Sequence, residues 1–131
     1  MQESKLYYFY LWRHRYVEDD DNTDQIITRT CLGITSNPDS RTQGYEGHVG
    51  HTVKFTGLWT GPERLIRELE AKIKSEFYDY LFVGTNNFRY EWINEEIAHD
   101  DVHKWVNWEI NNSYIGITDG NVAPGLFPEE N

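Results

Sequence analysis

Cysteine is nearly missing from this chain: Cys31 is the single one in 131 residues. That excludes an internal disulfide and any zinc site built from several thiolates. Long apolar runs are missing too. No stretch approaches the ~20 residues that a membrane span needs. The opening residues, Met1-Gln2-Glu3-Ser4, have neither the basic segment nor the apolar core of a secretory signal. These absences predict a reducing, cytoplasmic setting and no membrane partner. Basic residues are scarce, 12 Lys and Arg against 22 Asp and Glu, for a net charge of −10. Taken alone, that balance speaks against tight nucleic-acid binding and for a surface that keeps the chain soluble. There is no GxGxxG, no phosphate-binding Gly-Lys-Ser/Thr loop and no Gly-x-Ser-x-Gly elbow.

What is present is a full set of core formers. Five Trp, nine Tyr and six Phe supply a sizeable core, and the length is that of one domain spanning 1–131. The charge is uneven. Residues 38–74 carry six basic residues against five acids, whereas residues 81–131 carry two against nine. The middle of the chain is therefore the part suited to face an anion.

Residues 5–12, Lys-Leu-Tyr-Tyr-Phe-Tyr-Leu-Trp, predict a strand. Alternation sets Tyr8, Tyr10 and Trp12 on one face and Tyr7, Phe9 and Leu11 on the other. Glu18-Asp19-Asp20-Asp21-Asn22 reads as a solvated loop. A second, antiparallel strand follows over 26–34, ending at Ser36-Asn37-Pro38. Asn37 and Pro38 predict a short helix start. A third strand runs from Val53 towards Trp59. Thr60-Gly61-Pro62-Glu63 has the spacing of a capping box. The helix behind it is expected to run to about Phe77, with Leu65, Ile66, Leu69, Ile73 and Phe77 as its apolar stripe. Residues 88–110 read as helix in two pieces, broken near His99-Asp100-Asp101. The sum is an α+β fold, a small three-stranded antiparallel or mixed sheet flanked by helices. A helical extension over 88–123 and a loose tail over 124–131 complete it.

Two strands and a helix carry a family resemblance. Cys31-Leu32-Gly33-Ile34-Thr35-Ser36-Asn37, with Arg41 eight residues past the glycine, resembles the second half of the GIY-YIG nuclease motif. Tyr8-Phe9-Tyr10-Leu11-Trp12 resembles the opening strand in one branch of that family. Arg67-Glu68-Leu69-Glu70-Ala71-Lys72-Ile73-Lys74 resembles its Glu-x-x-Ile-Lys helix, and Asn86 and Asn87 stand near the family's late Asn. The resemblance spans roughly residues 6–87. Three departures accompany it. The first-motif glycine is absent, Cys31 replaces the second-motif tyrosine, and the loop between the strands is longer and more acidic. A literal Tyr114-Ile115-Gly116 has too little chain behind it to open such a module.

The resemblance implies a metal-dependent endonuclease that hydrolyses the phosphodiester bonds of DNA. Small free-standing nucleases of this kind resemble phage-encoded proteins. Glu70 would hold Mg²⁺ or Mn²⁺, a hard cation that takes oxygen ligands; the alternative for Glu70 is a helix carboxylate paired with Lys74. Arg41 would grip phosphate through its planar fork, or else pair with Asp39 or Glu46. Tyr10 is the candidate phenol, with Tyr8 on its face as second choice, while Tyr7 is assigned to packing. Tyr45 and His48 are candidates for the role that Cys31 cannot fill, and His51 is a weaker one. Cys31 itself reads as a small buried hydrophobe. Lys54, Lys74, Asn86 and Asn87 would add nucleic-acid contacts. His99 and His103, four apart, read as surface residues. One module carries one site, so cutting both strands would need a homo-oligomer, a dimer or tetramer, or two visits by one molecule. A nuclease should bring Tyr10, Arg41 and Glu70 to one cleft. A catalytically inactive binding relative would keep the fold without that convergence. An acidic DNA-mimicking interaction protein would instead show regularly spaced carboxylates on one elongated face.

Overall fold

A computed structural model describes residues 6–20, 23–38, 40–41, 54–81, 92–94 and 96–120, with backbone alone at 14–20 and 23–28. Its elements in chain order are β1 (Leu6–Asp20), β2 (Thr23–Thr35), β3 (Phe55–Pro62), α1 (Glu63–Glu76), a 3-10 turn (Tyr78–Tyr80), β4 (Trp92–Ile93), α2 (His99–Ser113) and β5 (Thr118–Asp119). The class is α+β. The sheet is antiparallel and five-stranded, in the order β4-β2-β1-β3-β5. The expected three strands form its middle. The two short outer ones come from the C-terminal region, so that region completes the same sheet.

The alternation in β1 organises both faces. Phe9 and Leu11 lie in one cluster with Leu32, Trp59, Ile66, Leu69, Ile73, Val102 and Val106, and Tyr7 packs against it. Tyr10 and Trp12 lie in another with Cys31, Phe55 and Leu58, flanked by Tyr8 and Trp92. Both helices cover the first face. α1 buries Ile66, Leu69 and Ile73, and α2 buries Val102, Val106 and Ile110. Each fully buried side chain of this size contributes about 1.5–3 kcal/mol. A one-residue slip of β1 would exchange the two clusters, so burial on both faces fixes its register.

Four sequence expectations are corrected. Glu18, Asp19 and Asp20 are strand residues, because the hairpin ladder continues out to Asp20↔Thr23. An antiparallel ladder supplies its own backbone hydrogen bonds, so acidic residues need not end it. The capping box does not form. β3 continues through Pro62, which is the residue preceding the helix, and no side chain caps α1. The Thr60 hydroxyl donates instead to the Tyr7 carbonyl at 3.1 Å. Trp92 and Ile93 are a strand rather than helix, paired with Cys31 and Thr30. α2 starts at His99 rather than breaking there, with Asp100 and Asp101 in its first turn, where a helix dipole favours acids. The helical turn after β2 is present: Ser40 N–H donates to Asn37 Oδ1 and Arg41 N–H to the Asn37 carbonyl, each at 3.2 Å. Tyr114-Ile115-Gly116 is the turn after α2, closed by Ile117 N–H on the Tyr114 carbonyl at 3.1 Å. The tail over 124–131 lies outside the described residues.

A bulge explains one breach of alternation. In the β1–β3 ladder Leu11 faces Gly57 but Trp12 faces Phe55, which leaves Thr56 as the extra residue. Phe55 and Leu58, three apart, therefore bury on the same face. Close packing also selects glycine at 33, where an added Cβ would overlap the Tyr10 hydroxyl. Gly33→Ala is expected to destabilise the protein by about 1–3 kcal/mol through overpacking. A lowered urea midpoint at unchanged m-value checks this.

Candidate functional site

Tyr10 and Arg41 meet. Tyr10 comes from the middle strand and Arg41 from the helical turn that Asn37 initiates. The Arg41 Nε–H donates to the Tyr10 hydroxyl oxygen at 2.9 Å. Tyr10 is completely buried, whereas Arg41 is partly exposed. The phenol therefore orients the guanidinium rather than meeting solvent itself. Tyr8, two residues earlier on the same face, is only partly buried and is the phenol with solvent access. Cys31 is fully buried on this face and serves as core.

Glu70 does not join them. It rides on α1, which covers the opposite face, and its carboxylate lies 3.5 Å from the Lys74 ammonium one turn on. Lys74 is thereby occupied within α1. Lys54 lies partly buried just ahead of β3. Tyr45, His48, His51, Asn86 and Asn87 lie outside the described residues. Among the described residues, no group of three or more His, Cys, Asp or Glu side chains is placed to hold a metal ion. One carboxylate, already paired and on the far face, does not fit an ion beside Tyr10 and Arg41.

Sequence reasoning missed a polar cluster on the helix side. His99 is half-buried rather than a surface residue: it opens α2 and bridges β2 and β3. Its Nδ1 lies 2.8 Å from the Thr30 hydroxyl and its Nε2 lies 2.6 Å from the Thr56 hydroxyl. Thr56 also donates to the Leu11 carbonyl at 3.2 Å. A hydroxyl has one proton, so Thr56 accepts from His99 Nε2–H, and Thr30 donates to the bare Nδ1. The neutral imidazole satisfies every bond. Burial lowers the His99 pKa to about 4, with Arg13 and His103 adding to the effect and Asp100 opposing it. One turn further along α2, the His103 ring lies 5.2 Å from Trp59, and Trp59 Nε1–H donates to Asn107 Oδ1 at 3.1 Å. The available signal was the bulge threonine, which lone spacing along the chain does not reveal.

A buried charge ties the helices together. Glu109 of α2 is 3% exposed and pairs with Lys72 of α1. The hydrogen bond to Glu109 raises the Lys72 pKa. Burial likewise raises the pKa of Tyr114.

Comparison of the chain with family models, with curated proteins and with solved structures finds no match.

Two predictions arise here. Unfolded histidine titrates near 6.5 and folded His99 at about 4. Between these values the unfolded chain binds a proton that the native chain refuses. His99 therefore adds stability above pH 6.5 that is lost as pH falls towards 4. Allowing for the ring's partial exposure, the loss is about 1–2 kcal/mol. Urea titrations from pH 7.5 to 3.5 should show this slope in wild type and a shallower one in His99→Gln. Separately, Lys72→Met should lower the melting temperature by stranding Glu109 without its cation. Lys72→Met/Glu109→Leu should recover most of the loss in the same thermal scan.

Proposed function

We propose that the chain is a small endonuclease that hydrolyses phosphodiester bonds in DNA, using Arg41 as its phosphate contact. The Tyr10–Arg41 hydrogen bond carries this reading. It fixes a cation with a planar donor fork at the end of β2, where the GIY-YIG resemblance puts phosphate recognition. In hydrolysis a water oxygen attacks phosphorus, the bond to the leaving deoxyribose oxygen breaks, and that oxygen departs as a hydroxyl carrying a proton from water. Negative charge grows on the non-bridging oxygens, and a held guanidinium stabilises it. Tyr10 is a positioning residue in this scheme. Tyr8 is the phenol open to a bound strand. The resemblance also implies Mg²⁺ or Mn²⁺. The described residues do not gather ligands for the ion beside Arg41.

The test is nicking of supercoiled plasmid in Mg²⁺, in Mn²⁺ and in EDTA. Arg41→Ala should lower the rate about 10²–10³-fold, the usual effect of removing one stabilising donor. Arg41→Lys should recover little, since it lacks the fork. Tyr10→Phe should weaken cleavage less than Arg41→Ala, and Cys31→Ala should leave it near wild type. Loss of cleavage in Glu70→Gln assigns the ion to that carboxylate; retained cleavage leaves Glu70 as the partner of Lys74. Full activity of Arg41→Ala overturns the proposal.

A second reading has its own observation. Glu70 is engaged by Lys74 away from Arg41, and Cys31 is buried where the family has a phenol. Both suit a non-catalytic relative that binds DNA. Such a protein would retard duplex DNA at low salt and leave plasmid intact under every metal.

A further inference from the structure

The β1–β2 hairpin extends beyond the sheet that anchors it. The β1–β3 ladder ends at Trp12↔Phe55 and the β2–β4 ladder at Thr30↔Ile93. From His14↔Arg29 to Asp20↔Thr23 the hairpin has seven further pairs, about 20 Å at ~3.4 Å per residue. Among the described residues no third strand pairs along this arm. A lone two-stranded ribbon is marginal in water, and its outer edges present backbone donors and acceptors to any strand of suitable chemistry.

The order of charge along the arm selects that strand. β1 reads Arg13-His14-Arg15, then Tyr16-Val17, then Glu18-Asp19-Asp20. The root is basic, the tip acidic and the middle uncharged. We propose that this stretch of β1 is a homodimer contact, in which the arms of two copies pair edge to edge and antiparallel about a two-fold axis. That axis sets residues 13–15 of each copy beside residues 18–20 of the other, at both ends of the contact. Tyr16 and Val17 meet their own counterparts at the centre. The match does not depend on one register, since diagonal neighbours interact as well as direct ones. A parallel arrangement would put like charge on like, so the sequence disfavours it. β2 has one charge of each sign over the same stretch, Asp24 and Arg29, which makes β1 the edge with the stronger order. An edge protected against pairing carries charge of one sign; this one is complementary to itself. At ~0.15 M salt the overall repulsion of two acidic chains is screened within about 8 Å, while charges in contact still attract. The inference does not rest on the nuclease reading.

The test is sedimentation equilibrium of the full chain at ~0.15 M salt, with circular dichroism to confirm folding. Wild type should be dimeric. His14→Glu/Arg15→Glu makes the charged positions of this β1 stretch mainly acidic, and Glu18→Lys/Asp19→Lys makes them mainly basic. Each variant alone should dimerise at least tenfold more weakly, and an equimolar mixture should restore the dimer. Val17→Cys, near the axis, should cross-link into a covalent dimer under a mild oxidant faster than a Lys104→Cys control. This arm keeps the wild-type charges and decides the matter if a charge variant fails to fold. A monomeric wild type, variants that dimerise as well as wild type, or equal cross-linking at 17 and 104 would overturn the proposal. So would a monomeric wild type whose DNA retention depends on His14 and Arg15, which would assign the arm to nucleic acid.

Discussion

Burial of both faces of β1 is the constraint on which the remaining structure depends. β1 sits in the middle of the sheet with β2 and β3 along its edges, and Phe9 to Trp12 are buried on both of its faces. Its odd-numbered residues seat two helices, and its even-numbered residues build a second layer of aromatics. The candidate site is a by-product of that arrangement. Tyr10 is wholly enclosed by the second layer, yet its hydroxyl sits over Gly33, at the strand end where Arg41 arrives. The core thus fixes a surface cation.

The parts of the sequence with strict period told most. The aromatic alternation of 5–12 and the four-residue stripe of α1 foretold both core faces, since period alone decides which side chains share a face. What stayed illegible depended on partners distant in the chain. The acidic stretch at 18–20 looked unfit for a strand because its ladder partners had to be known first. Trp92-Ile93 is too short for a period to show. The capping signal at Thr60 lost to pairing with Tyr7 of β1, a tertiary claim on the same hydroxyl. In the candidate site, the expectation for a nuclease is that Tyr10, Arg41 and Glu70 share one cleft; Tyr10 and Arg41 meet and Glu70 stands apart, because spacing along a helix does not say which side of a sheet the helix covers.

The helix layer is held by two polar devices of opposite kind. Lys72 and Glu109 join α1 to α2 through charge, and a buried carboxylate tolerates its place only with that cation. His99 joins α2 to β2 and β3 without charge, as a neutral ring between two hydroxyls. The second device weakens if its ring is ionised, so acid acts on the contact between α2 and the sheet.

The bulge at Thr56 bears on how the length of this chain can vary. Elsewhere in β3, gaining or losing one residue turns every later side chain to the wrong face. Beside Thr56 the ladder already holds two residues opposite one. Removing that residue would return Phe55 to plain alternation with Leu58, with Trp12 and Tyr10 still their partners. Deletion there keeps the register of the sheet and removes the hydroxyl that meets His99 and the Leu11 carbonyl. Among the described residues of β3, this is the place where descendants of the sequence can shorten without refolding.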